Sequence, residues 1–231
     1  MPSPSDRPDS PPAVIGAFPV HEYRLRLGGR EWTVAHTGEV LSDADEQRFL
    51  TDQAEHDKER PPYGVMLWTA AIALAHDIVG RGAAMRGQRV LELGAGTGLP
   101  GIVAASFGAR VVQSERQRQS LSVCKKNGER NGLTDIEYRL ADWSDWQISD
   151  QFDWLIGSDI LYSVNMHHHL ERIFETNLAP GGRLLLSDPF RPNSIGLLES
   201  MEKKGWKITL SKWSVGEESS PRSVGVFELT R

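Results

Sequence analysis

The chain has 231 residues, of which 39% are hydrophobic and 25% charged, with a formal net charge of −5 and a single cysteine, Cys124. That length supports one α/β domain with a small appendage rather than two full domains. The charge gives no general pull toward nucleic acid or an anionic membrane, and a lone cysteine excludes an intrachain disulfide and any cysteine-based metal cluster, which suits a reducing compartment.

Residues 1–14, "MPSPSDRPDSPPAV", lack the apolar core of a signal peptide and have the composition of a disordered tail, so a cytoplasmic location is expected. Residues 15–62 are expected to form a β-hairpin and a lid-like extension. Tyr23, Leu25 and Leu27 alternate with Arg24 and Arg26, a turn follows at Gly28-Gly29, and a second run passes through Trp32 and Val34. The polar stretch Ser42–Glu59 opens on a capping serine and is stopped by Pro61-Pro62, which suits a short helix or an ordered lid.

Residues 63–231 are expected to form the main domain. Leu67, Ala71, Leu74, Ala75 and Ile78 share one helical face, which predicts a helix over Val65–Val79. This most apolar segment is interrupted by Thr69, His76 and Asp77 and is too short to span a bilayer. Strand-like runs follow at Arg89–Leu93, Arg110–Ser114, Ile136–Leu140, Trp154–Gly157 and Arg183–Ser187. Helical stretches separate them at Leu99–Phe107, Arg116–Arg130, Val164–Leu178 and Ser194–Lys203. The alternation predicts an α/β fold with a doubly wound, mostly parallel sheet, and the closing runs "WKITLSKW" and "SVGVFELTR" predict a C-terminal antiparallel hairpin.

The segment "VLELGAGTGLPGIVAA" places Gly94, Gly96 and Gly98 between the first of these strands and its helix. Residues without a Cβ let a ligand approach the backbone, and the helix offers free N–H groups to it. Both dinucleotides and S-adenosylmethionine use this device, and Gly96-Thr97-Gly98-Leu99-Pro100-Gly101 even fits G-x-G-x-x-G. Charge separates them: Glu92, two residues before Gly94, would repel a diphosphate and attract an ammonium group, which favours S-adenosylmethionine. Glu115, at the next strand end, suits two ribose hydroxyls. Asp142 and Trp143, after the third strand, suit an adenine amino group and its ring.

Taken together, "YGVMLWTAAIALA", "VLELGAGTGLPGIVAA", "SER", "ADW" and "GSDILY", in order from Tyr63 to Tyr162, resemble the seven-β-strand S-adenosylmethionine-dependent methyltransferases with a Rossmann-like fold. Within them the chain is similar to the branch with an acidic-x-x-Tyr signature, which includes many protein lysine methyltransferases. The resemblance implies that Trp68, Gly94, Ala95, Gly96, Glu115, Trp143 and Ser158 line the cofactor, and that Asp159 and Tyr162 face the methyl acceptor. It also implies a protein substrate. Three departures stand out: Glu115 where aspartate is commoner, Thr69 where many relatives have proline, and "SDPFRP" after the fifth strand, which is not the pattern of the well-defined lysine-specific members.

Other readings make different demands. Protein arginine or a small molecule can replace lysine as acceptor, and a non-catalytic nucleoside-binding module or a nicotinamide-dependent oxidoreductase can share the glycine loop. The run His167-His168-His169 lacks the i,i+4 spacing a shared metal ion needs on a helix. The basic residues in "RQRQSLSVCKKNGER" fit a solvated helix face rather than an RNA site, and Cys124 fits a packing role.

Overall fold

A computed structural model describes residues 14–15, 18–42, 44–46, 63–216 and 221–231. The tail expected over residues 1–14 lies outside these up to residue 13, as does most of the stretch Ser42–Glu59. The start of that stretch is described. The Ser42 hydroxyl accepts the Asp45 N–H at 3.1 Å, and the Asp45 carboxylate accepts the Ser42 N–H at 2.9 Å, a reciprocal cap.

Strands β1 (His21–Leu27) and β2 (Arg30–His36) pair antiparallel around Gly28-Gly29, with Leu25 opposite Trp32 and Tyr23 opposite Val34. Leu27, Trp32 and Val34 are buried in the same core cluster as helix α1 (Thr69–Met85), so the hairpin shares the core of the main domain.

Helix α1 begins four residues later than its apolar spacing predicts. Tyr63–Val65 is instead a 3-10 turn, and Leu67–Trp68 pairs in parallel with Glu39–Val40. The Val65 carbonyl accepts the Thr37 N–H at 2.9 Å, and the Leu67 N–H donates to the Gly38 carbonyl at 2.9 Å. These partners, about thirty residues away, outweigh local helix preference, and Trp68 stays extended as the N-cap.

The chain then alternates: β3 (Arg89–Leu93), α2 (Leu99–Ser106), β4 (Arg110–Glu115), α3 (Arg118–Arg130), β5 (Glu137–Leu140), β6 (Phe152–Ser158), α4 (Val164–Asn177), β7 (Leu178–Asp188), α5 (Pro192–Lys203), β8 (Lys207–Val215) and β9 (Arg222–Thr230). The sheet order is β8-β9-β7-β6-β3-β4-β5, parallel throughout except for β9, which runs against both β7 and β8. Val90 faces the cluster under α1 and α2, whereas Leu91 and Leu93 belong to the cluster under α4 and α5. Burial of both faces explains why these strands read as continuous apolar runs. Strand order reverses at β3, which lies between β4 and β6, and a crevice opens there beyond the carboxyl ends of the strands.

Candidate functional site

A cleft of about 530 Å³ occupies this position. The loop after β3 forms its floor. Gly94 and Gly96 adopt φ of 62° and 56°, which side chains rarely tolerate, and both also lack room for a Cβ. At Gly94 it would stand 3.1 Å from Trp143 and from Ile160; at Gly96 it would meet the Gly64 carbonyl at 3.2 Å. The indole and the 3-10 turn therefore close on the loop from two sides.

Ten of the twelve sequence-predicted residues line this cleft: Trp68, Gly94, Ala95, Gly96, Glu115, Asp142, Trp143, Ser158, Asp159 and Tyr162. Glu115, at the end of β4, accepts the Gly96 N–H on one oxygen and the N–H groups of Arg116 and Gln117 on the other. Asp142 takes the Ser144 N–H and hydroxyl at 2.9 and 2.7 Å; these bonds hold its carboxyl below the usual range. Trp68 donates its indole N–H to the Tyr63 carbonyl and lies parallel to the Tyr63 ring at 6.1 Å.

Glu92 and Gly98 do not line the cleft, which corrects the charge argument made from Glu92. The Glu92 carboxyl is fully buried beneath the loop, where one oxygen accepts the Gly101 N–H at 3.1 Å and the Gln113 amide at 2.6 Å. Its other oxygen has no protein partner. Burial pushes its pKa up to about 8, against the hydrogen bonds of Gln113 and Gly101, which favours the protonated form near neutral pH, and the group ties the first turn of α2 to β4. Gly98, the N-cap of α2, is turned inward, where a Cβ would come 2.5 Å from the Cys124 sulfur.

This has a measurable consequence. Between pH 4.5 and about 8 the folded chain keeps a proton that the unfolded chain releases, so stability falls as pH rises through that window. The slope from this one group is at most about 1.4 kcal/mol per pH unit. Glu92→Gln keeps the acceptor and removes the titration; denaturation of both proteins across the window should show the variant gaining relative stability with pH. Parallel curves would contradict the neutral assignment.

Asp159 and Tyr162 both line the cleft, and Asp159 is not alone. Its two oxygens accept the Arg191 Nε–H and Nη2–H, each at 2.9 Å, in a bidentate pair, and its side chain is only 7% exposed. The Arg191 Nη1 group pairs with Glu46, and the second Glu46 oxygen pairs with Arg222. Burial works against the charges of both Glu46 and Arg191. The two arginines nevertheless hold Glu46 below its ordinary value, while Asp159 and Glu46 raise Arg191. Two acids and two cations thus balance here.

Asp188, buried at the end of β7, fixes the turn into α5 by accepting the Arg191 N–H at 2.7 Å and the Ser194 hydroxyl at 2.6 Å. Asp159 and Phe190 are the non-glycine residues with left-handed φ, 52° and 63°, among those described. They flank this ion pair, where such backbone strain collects at working sites.

Arg191, Glu46, Tyr63 and Arg116 line the cleft and were not singled out from sequence. The signal for Arg191 was present: "DPFR" follows a parallel strand at the ligand-binding edge. The His167 ring bonds the Leu161 carbonyl at 2.8 Å, and among the described residues no group of three or more His, Cys, Asp or Glu could hold a metal ion. Among the described residues no helix is long and apolar enough to cross a membrane.

The architecture is similar to that of the Thermus thermophilus 16S rRNA N2 G1207 methyltransferase in complex with AdoMet and guanosine. The TM-score is 0.60 at 20% identity, over 92% of this chain and 51% of that one, a likeness of fold alone. In sequence, the chain is 31% identical over 150 residues to the protein N-lysine methyltransferase METTL21A of Xenopus tropicalis, covering 62% of this chain and 70% of that protein. It is 32% identical over 108 residues to the mouse histone-arginine methyltransferase METTL23, covering 43% of this chain and 42% of that protein, so less than half of that relative's length is spanned. The lysine methyltransferase family model matches residues 50–194, more than half of the chain, and the protein belongs to that family.

Proposed function

We propose that the protein is an S-adenosylmethionine-dependent N-methyltransferase that acts on a lysine side chain of a protein. The observation that carries this reading is the continuity of one cleft from the glycine floor, Glu115 and Trp143 to Asp159 and Tyr162. The cradle fits the cofactor: two loop positions where a Cβ would collide with the walls, an acid at the second strand end and an indole beside it. Trp68, Gly94, Ala95, Gly96, Glu115, Asp142, Trp143 and Ser158 are assigned to holding it.

When bound, the cofactor supplies a methyl carbon activated by a sulfonium leaving group. The chain's own task is alignment of the acceptor with water excluded. Each Asp159 oxygen uses one lone pair on Arg191 and keeps another that can accept from an amine. The amine loses its proton to water before it attacks. Tyr162, 54% exposed at the mouth of the cleft, offers its ring face to the amine or its alkyl stem.

An exposed apolar rim supports a protein acceptor over a small molecule. Tyr63, Leu140, Tyr162 and Val164 are four of the five large hydrophobic residues exposed among those described. Two of them line the cleft, and Leu140 and Val164 lie within two residues of lining positions. Arginine is the second reading, favoured by the match to histone-arginine methyltransferases.

Incubation of the purified protein with methyl-labelled cofactor and a cell lysate tests the proposal. The expected result is a labelled protein band that yields methyl-lysine on hydrolysis. Methyl-arginine would replace the acceptor and a labelled small molecule would replace the substrate class. Absence of any label would leave a nucleoside-binding module.

A further inference from the structure

Asn127, fully buried on α3, joins two parts of the chain that share no strand pairing. Toward the hairpin its side-chain oxygen accepts the Ala35 N–H at 2.8 Å and its amide donates to the Ala35 carbonyl at 3.1 Å. The other amide hydrogen goes to the carbonyl of Thr97 at 2.8 Å, in the glycine loop. Thr97 lines the cleft. One side chain thus completes the edge of β2 and fixes the cofactor loop.

One turn on, at the C-cap of α3, Asn131 binds the same strand in the same manner. It accepts the Thr33 N–H at 3.1 Å and donates to the Thr33 carbonyl at 2.8 Å. Its remaining donor, however, goes to the Asn127 carbonyl on its own helix and not to the loop. A second tether supports the first: Thr37, just past β2, binds the Val65 carbonyl through both N–H and hydroxyl. That carbonyl belongs to the 3-10 turn whose Gly64 carbonyl sits over Gly96.

We infer that Asn127 is a positioning residue of the cofactor site, and that the N-terminal hairpin is a structural component of that site rather than a separate docking edge. This deepens, and rests on, the methyltransferase reading. Asn127 does not line the cleft; it acts by holding the Thr97 carbonyl and, through Ala35, by making the order of the loop depend on the order of β2. Asn131 provides the internal contrast, because it carries equal hairpin contacts and none to the loop.

Calorimetry with S-adenosylhomocysteine tests this on the full chain. Asn127→Ala should weaken binding about tenfold, as expected for a buried acceptor left unpaired, whereas Asn131→Ala, which loosens β2 but leaves the loop contact in place, should weaken it less, about threefold. Equal shifts in the two variants would overturn the direct role of the contact between Asn127 and Thr97, no shift in Asn131→Ala would overturn the role of the hairpin, and no shift in Asn127→Ala would overturn both. Failure of the unaltered protein to bind the ligand would count against the methyltransferase reading instead. If Asn127→Ala does not fold, amide hydrogen exchange of the unaltered protein decides: added S-adenosylhomocysteine should slow exchange at Thr33 and Ala35, and unchanged rates there would refute the coupling.

Discussion

Replacing Arg191 with methionine should lower methyl transfer to lysate protein about 100-fold, or about 2.7 kcal/mol of transition-state stabilisation. Binding of S-adenosylhomocysteine should change less than about threefold, since Arg191 contacts none of the residues that form the glycine floor. The reason lies in the bidentate pair. Asp159 is nearly buried on a strained left-handed backbone, and Arg191 supplies the donors that both of its oxygens use. Without them the carboxylate either rotates away from the acceptor position or takes up the amine as a tight, cationic, unreactive pair. Arg191→Lys keeps the charge but replaces the two-pronged contact with a single point and should recover only part of the rate. Asp159→Ala should abolish transfer as well, and the double variant should be no worse than Asp159→Ala alone, because the two act as a unit. Full turnover in either single variant, measured with equal enzyme in one lysate, would remove Asp159 and Arg191 from the acceptor site.

The second large effect is expected at Gly94. Gly94→Ala places a Cβ on a backbone with φ of 62°, which costs an L-residue about 1–2 kcal/mol, and sets it against Trp143 and Ile160. The relief is displacement of the indole, which removes the wall assigned to the adenine. Binding of S-adenosylhomocysteine should fall by about two orders of magnitude or more, since base-aromatic stacking and the close backbone approach are lost together. Thermal unfolding should shift by only a few degrees, reflecting strain at one loop position. Binding within about twofold of the unaltered protein would show that the loop does not carry the cofactor.

The parallel sheet was readable because its signals are local and repeated. The run Arg89–Leu93 has the ends the sequence implies, the helix after Gly98 starts where expected and ends one residue earlier, at Ser106, and Gly94 and Gly96 owe their conformation to themselves. Where the reading departed from the structure, the deciding contacts were distant. Val65 to Trp68 keep helical apolar spacing but are drawn straight by Thr37, Gly38 and the Glu39–Val40 pair. Glu92 was placed on the rim because it ends a strand next to glycines. In a strand buried on both faces, however, Leu91, Glu92 and Leu93 carry no pattern that says which way a side chain turns. Arg191 reaches Asp159 across 32 residues of sequence and Glu46 across 145, and Asn127 reaches Ala35 across 92. No periodicity encodes such pairings; they arise only when the sheet brings its carboxyl ends to one edge.

With Glu92 buried beneath the loop and outside the cleft, the proposed preference for a phosphate-free nucleoside rests on the carboxylates of Glu115 and Asp142 at the cleft and on its closed glycine floor. Titration calorimetry of the purified chain against S-adenosylhomocysteine and, separately, NAD tests that preference most directly. One molecule of S-adenosylhomocysteine should bind per chain while NAD gives no heat of binding; tight uptake of NAD with none of S-adenosylhomocysteine would contradict it.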